Sequence, residues 1–187
     1  MSIQIWWKRL SVSAVVALLS APVLAQANNQ AAVVKDFETR VEKYLEVQKT
    51  SDINQKPTDS AEKLADQKQQ TKQKVQGARP AAKQGDIFAP QIGAYFKKQI
   101  AATLNGPDGA KVRASLKRAE PLPDVPLQVN RPYPQNLPLQ STPATLLLNL
   151  PHLPSGLQYR IVGSKLVLFD TASNLIVDFL PDAMPGS

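Results

Sequence analysis

Three short apolar runs near the C-terminus constrain the fold of this chain more than anything before them. Leu157-Gln158-Tyr159-Arg160-Ile161-Val162 alternates in polarity and reads as a strand. Gly163-Ser164 is a two-residue turn suited to a hairpin, and Lys165-Leu166-Val167-Leu168-Phe169 reads as the second strand. Asp170 to Asn174 supply a further turn, and Leu175-Ile176-Val177-Asp178-Phe179 is the third strand. The expectation is a three-stranded antiparallel meander. Three strands with an open apolar face associate with one another, so a helical body must cover one face. The fold class is α+β.

The helices that could do this lie upstream. Val34, Phe37, Val41, Tyr44, Leu45 and Gln48 follow at spacings of three and four, and share one face of a helix. Glu38 and Glu42, among Lys35, Arg40 and Lys43, mark the solvated side. Asp52, Asn54 and Pro57 mark a break. Thr58 or Asp59 can cap a second helix, with Glu62 completing a capping box after Asp59. That helix has a poor apolar face (Ala61, Leu64, Ala65, Lys68, Val75, Ala78), and Pro80 should end it between Gly77 and Arg79. Residues 28–84 therefore read as a polar helical arm, either a hairpin against the first helix or only partly ordered. The arm can also pair with a second copy of itself, as a coiled-coil-like homodimer contact.

Residues 85–187 read as the compact α+β region. Gly85 suits a helix C′ position with positive φ, and Asp86 can accept from the amides that follow it. Pro90 fits the first turn of an amphipathic helix striped by Ile92, Tyr95, Phe96, Ile100 and Leu104, with Lys97 and Lys98 in water. Asn105-Gly106-Pro107 stops it. Prolines at 107, 121, 123, 126, 132, 134, 138 and 143 then favour an extended arm. Val112, Ser115, Leu116 and Ala119 can form the inward side of a short helix within it. Leu122, Val125, Leu127, Val129, Tyr133, Leu137 and Leu139 suggest that the arm packs on the body. Thr142 should cap a short helix through Leu146, Leu147 and Leu148.

The N-terminus speaks to destination. Lys8 and Arg9 precede an apolar run from Leu10 to Leu19, and Pro22 breaks the helix before the small residues Ala25 and Ala27. This is the pattern of a secretory signal peptide over residues 1–27, cut after Ala27, with Ala25 as the alternative. A retained signal anchor fits less well, because the run falls short of the roughly 20 apolar residues of a span. No later stretch is apolar enough to span a bilayer, and no cysteine stands near the cut to carry a lipid. The expected location is the periplasm or outside the cell. The chain contains no cysteine at all, so thiolate zinc sites, disulfides and thiol catalysis are excluded. Beyond Ala27 the bases number 20 and the acids 15, a net charge of +5.

Gly85-Asp86-Ile87-Phe88, Val129-Asn130-x-x-Tyr133-Pro134, Leu150-Pro151-x-Leu153-Pro154, Tyr159-Arg160-x-Val162-Gly163 and Asn174-Leu175-Ile176-Val177-Asp178 together resemble an uncharacterised family of exported bacterial proteins. The resemblance covers roughly residues 31 to 185. It implies a signal peptide and this helix-then-strand order, and carries no activity. Residues 151 to 178 alone are also similar to the periplasmic nickel/cobalt-homeostasis family, without the metal ligands that would make the likeness useful.

No catalytic constellation stands out. His152 is the single histidine and lies between prolines in Leu150-Pro151-His152-Leu153-Pro154, which reads as a loop residue lacking an orienting partner. No Gly-x-Ser-x-Gly elbow and no phosphate-cradling glycine loop occurs. Asp86, Asp170 and Asp178 can be imagined as a hydrolytic carboxylate pair, but each has a plainer role: turn, turn, and polar face of a strand. Asp108-Gly109 is a fragment of a calcium loop without the other oxygen ligands. Lys111, Arg113, Lys117 and Arg118 are the candidate patch for an anionic partner, lipid or wall polymer, with solvated surface as the plainer reading. The patch lacks interleaved aromatics, so nucleic acid is not expected. No cofactor and no metal are expected. The reading is an exported, soluble, non-enzymatic envelope protein that acts by protein or envelope contacts. The alternatives are a hydrolase using the Asp residues and a metal-responsive binder using His152 with carboxylates.

Overall fold

The computed structural model describes residues 21–52, 58–118, 126–134 and 140–184. Five helices and four strands follow in the order α1 (Ala21–Asp52), α2 (Ala61–Ala78), α3 (Pro90–Asn105), α4 (Gly109–Arg118), β1 (Gln140–Ser141), α5 (Ala144–Leu147), β2 (Leu157–Val162), β3 (Lys165–Asp170) and β4 (Leu175–Leu180). The fold is α+β. The strands form one antiparallel sheet in the order β1-β2-β3-β4, so the expected meander gains a two-residue edge strand. Gly163 takes a positive φ of 57° in the β2–β3 turn, as a primed hairpin turn requires.

α1 continues through Ala25 and Ala27. Pro22 does not break it, because a proline in the first turn lacks only an N–H that has no intrahelical acceptor. Residues 1–20 of the expected signal lie outside the described residues. Phe37, Val41, Tyr44 and Leu45 of α1 enter the same core as the sheet. α2 packs back on α1 as a hairpin arm. Its cap is Ser60, whose hydroxyl accepts from the Lys63 N–H, and not Thr58 or Asp59. Its buried side consists of Thr71 and Val75; Lys68 does not belong to it, and Leu64 is exposed.

Along β2, Leu157, Tyr159 and Ile161 face the helices; along β3, Leu166 and Leu168 do so. Phe96 of α3 sits at the centre of that layer, with ring centroids 5.0 Å from Phe37, 5.2 Å from Phe88 and 5.8 Å from Tyr159. Val162, Val167, Phe169 and Ile176 line the opposite face, where Leu127 and Tyr133 of the proline-rich arm cover them. The arm therefore packs on the body where it is described; Leu122, Val125, Leu137 and Leu139 lie outside the described residues. The short helix expected within this stretch forms as α4, which buries Val112 but leaves Ser115 exposed. Gly109 starts α4 so close to the end of α3 that a Cβ there would stand 1.8 Å from the Leu104 carbonyl oxygen.

The arm also covers an edge of the sheet. The Asn130 and Tyr133 amides donate to the carbonyls of Ile176 (2.8 Å) and Asn174 (3.1 Å), and the Ile176 amide donates to the Arg131 carbonyl (2.9 Å). The outer edge of β4 is thereby covered at its start, around Leu175 and Ile176. Asn130, with a positive φ of 61°, also reaches the end of α2, its Nδ2 donating to the Arg79 carbonyl at 2.8 Å.

A candidate contact groove where the sheet edge opens

The opposite edge is closed over only part of its length. β1 pairs with Ile161 and Arg160 alone, so Leu157, Gln158 and Tyr159 have a strand partner on the β3 side only. The chain leaves this edge because Pro143 turns it into α5. Thr142 was expected to cap α5. Its hydroxyl instead donates to the Tyr159 carbonyl at 2.9 Å, and Pro143 occupies the cap position without a side-chain hydrogen bond. Leu146 and Leu150 anchor α5 and the loop after it in the core. Helical spacing then turns the next two leucines outward: Leu147 is 40 % exposed and Leu148 81 %. The Tyr159 hydroxyl donates to the Pro151 carbonyl at 2.9 Å and ties the loop to β2. Burial pushes the Tyr159 phenol above its ordinary range, so this donor keeps its proton.

Between loop and strand lies a groove of about 480 Å³, in the size range of ligand sites. Its walls are Leu147, Leu148, Pro151, Leu153, Leu157 and Tyr159, and Ser141, His152, Gln158 and Arg160 supply its polar groups. The Arg160 guanidinium donates to Ser141 Oγ at 3.1 Å and to Gln158 Oε1. Both acceptors are neutral, and among the described residues Arg160, which lines the groove, has no carboxylate partner. A second cavity of about 340 Å³ shares His152 and Leu153 with the groove and reaches Glu38 and Glu42 on α1. Among the described residues, neither Ser141 nor Thr142 is hydrogen-bonded to His152. His152 itself is exposed.

The three aspartates stand elsewhere, in structural roles. Asp170 is wholly buried at the end of β3 and accepts from Tyr44 Oη (2.5 Å), Gln48 Nε2 (2.8 Å), Ser173 Oγ (2.6 Å) and the Ala172 amide (2.8 Å). This is the link that seats α1 on the sheet. Burial first, and the Asp170 charge second, hold the Tyr44 phenol well above its ordinary value of 10.0. Arg79 stacks over the Tyr44 ring, 5.0 Å from its centroid.

Strict alternation along β4 puts Asp178 on a polar strand face, yet it is fully buried. A register shift between β3 and β4, at Leu168/Phe169, explains the difference. The bulge puts two successive residues, Val177 and Asp178, on the helical side, while Ile176 and Phe179 go to the other. The carboxylate then takes four amides: Gly85 (3.0 Å) and Phe179 (2.8 Å) on one oxygen, Ile87 (2.8 Å) and Phe88 (2.8 Å) on the other. Burial pushes its pKa up from 3.8, and the four donors pull it part of the way back. Gly85 has the expected positive φ (92°), but in this turn and not at a helix end. Asp86 accepts from the preceding Lys83 amide (2.9 Å), because Asp178 has taken the amides that follow.

The basic quartet is divided. Lys111 pairs with Asp108 at 3.0 Å in water. Arg113 donates to the Leu104 carbonyl and so caps the end of α3. Lys117 is exposed, and the side chain of Arg118, the last residue of α4, lies outside the described ones. The described residues contain no group of three or more His, Cys, Asp and Glu able to hold a metal ion. No helix among them is long and apolar enough to cross a membrane.

Neither the family models, nor the curated proteins, nor the solved structures searched contain a match to this chain.

Proposed function

We propose that this chain is an exported, non-enzymatic envelope protein that works by holding a partner in the groove beside β2. The observation that carries the reading is the division of labour among its polar groups. The buried carboxylates of Asp170 and Asp178 are occupied by structural donors, whereas the groove presents apolar walls and the outward Leu148. A catalytic cleft needs a base within hydrogen-bond reach of a nucleophile. The two groove hydroxyls, Ser141 Oγ and Thr142 Oγ1, are bonded to Arg160 and to the Tyr159 carbonyl instead. Leu147 and Leu148 carry the apolar groove walls out to the surface, and contiguous exposed apolar surface marks contact sites. Export is supported by the leader-type pattern of residues 1–27, and by the resemblance to exported bacterial proteins.

The test has two arms. Protein expressed with its own N-terminus is recovered from the periplasmic and membrane fractions, and assayed on ester, glycoside, peptide and phosphate substrates. No turnover is expected. Immobilised protein is then exposed to envelope extract beside a Leu148→Asp variant, and the variant should lose what the parent retains. Turnover that disappears on mutation of Asp86, Asp170 or Asp178 in a folded protein would establish the hydrolase instead.

A further inference from the structure

The groove specifies more than an apolar contact. We infer that it takes an extended peptide segment carrying an acidic side chain, laid along the uncovered half of β2 with its carboxylate at Arg160. The inference rests on the contact reading above and names the partner's chemistry.

The backbone comes first. Adjacent residues of an antiparallel strand turn their N–H and C=O groups to opposite sides. The Tyr159 carbonyl meets the Thr142 hydroxyl on the β1 side, and the Gly156 carbonyl accepts from the Thr171 amide on the β3 side. Leu157 and Tyr159 therefore direct their backbone groups to the β1 edge. There the Leu157 amide is taken by the Pro154 carbonyl. Among the described residues no strand stands opposite the Leu157 carbonyl and the Tyr159 amide, since β1 stops at its pairing with Arg160; Thr142, next in the chain, borders the gap at Tyr159. An acceptor and a donor two residues apart on this edge form the start of a ladder that an extended segment can continue.

Side chains come second. The groove wraps the edge, with Leu157 and Tyr159 from one face of β2 and Gln158 and Arg160 from the other. A strand presents side chains alternately to two faces, and so matches walls that are apolar on one side and polar on the other. An acyl chain would use the leucines but leave the backbone pair unmet. Charge comes third. Arg160 is held by two neutral oxygens and has no acidic partner among the described residues, while the adjoining cavity, which shares His152 and Leu153, reaches Glu38 and Glu42. An acid at one end of the ligand and a base at the other complement that polarity.

Synthetic probes test this. The peptide Lys-Val-Thr-Val-Thr-Val-Thr-Asp and its analogue with Gln at both ends are titrated into labelled full-length protein and followed by amide NMR. Saturable shifts are expected at Leu148, Leu157 and Tyr159, with the charged peptide binding more tightly. Arg160→Gln should weaken the charged peptide about fivefold and leave the Gln analogue unchanged, the upper range for one exposed ion pair. Leu148→Asp should abolish both, and it cannot disturb the core because Leu148 is 81 % exposed. A peptide N-methylated at alternate residues should not bind. Binding that ignores the charges or the N-methylation overturns the inference, as does tighter binding of decanoate at the same residues. If no peptide binds while Leu148→Asp still abolishes capture from envelope extract, the acidic-peptide inference fails and the contact reading stands. If the peptide is cleaved, the non-enzymatic reading fails.

Discussion

Asp178 offers the sharpest test of how this fold is held. Its carboxylate is the common acceptor for amides of the turn before α3 and of its own strand. In Asp178→Ala all four lose their acceptor. Gly85 and Phe179 are half-buried, so water can replace part of the loss. Ile87 and Phe88 are 3 % and 2 % exposed, and their amides have no such recourse. A buried donor left unpaired costs about 1–3 kcal/mol, which puts the two together at about 2–6 kcal/mol. Removing a buried charge returns some of this, since burial already disfavours the ionised form. The net expectation is a destabilisation of about 3 kcal/mol. Asp178→Asn keeps one carbonyl oxygen but turns an NH2 toward two N–H donors, and should lose about 2 kcal/mol. Urea unfolding gives both values, and hydrogen exchange should show protection lost first at Ile87 and Phe88. An Asn variant within about 0.5 kcal/mol of the parent would refute the claim that the four-amide cradle holds the turn.

The same residue fixes a pH dependence. Its folded pKa lies above the ordinary 3.8, so on acidification the folded protein binds this proton before the unfolded chain does. Asp178's contribution to stability therefore rises as pH falls through the raised value, and is fully present below 3.8. Asn does not titrate. The stability gap between parent and Asp178→Asn should widen from pH 7 toward pH 3.5. A gap that narrows would mean that the amide donors outweigh burial.

Other substitutions probe separate joints. Gly109→Ala drives a methyl into the Leu104 carbonyl, a backbone atom that cannot swing away, and should cost about 1–3 kcal/mol with α4 loosened in circular dichroism. Tyr44→Phe removes one of the donors to the buried Asp170, so thermal unfolding should show a loss of about 1–3 kcal/mol; no change would mean that Ser173 and Gln48 suffice to seat α1. Phe96→Ala empties the centre of the aromatic cluster and should cost about 3–5 kcal/mol in urea titration.

Periodic segments were legible in the sequence because burial on one face leaves a repeat. Phe37, Val41, Tyr44 and Leu45 show it for α1, Ile92, Phe96, Ile100 and Leu104 for α3, and Leu157, Tyr159 and Ile161 for β2. The misread residues are those whose roles depend on where two elements meet. Ser60, Thr142 and Asp86 each belong to the residue types that cap or turn, but which amide or carbonyl they serve is decided by the local path of the chain. Asp178 was misread because strict alternation is an assumption about the partner strand, and one bulge reverses it. The groove left no trace for a related reason: it exists because β1 is two residues long while β2 is six, a mismatch between segments far apart in sequence.

The five motifs that carry the resemblance meet one another in the fold. Asp178 closes the fifth motif onto the first through the amides of Gly85, Ile87 and Phe88. Asn130 and Tyr133 of the second bond to Ile176 and Asn174 of the fifth. Tyr159 of the fourth bonds to Pro151 of the third. These are joints between elements, which accounts for their mixture of Gly, Asn, Asp and Tyr with core residues. Leu148 takes part in none of these bonds and is the most exposed large apolar side chain described. Within this fold the motifs keep the groove in place, whereas Leu148 and Arg160 are the residues proposed to meet the partner. Substitution at Asp178 should therefore abolish binding only by unfolding the protein, and substitution at Leu148 should abolish it with the melting curve unchanged.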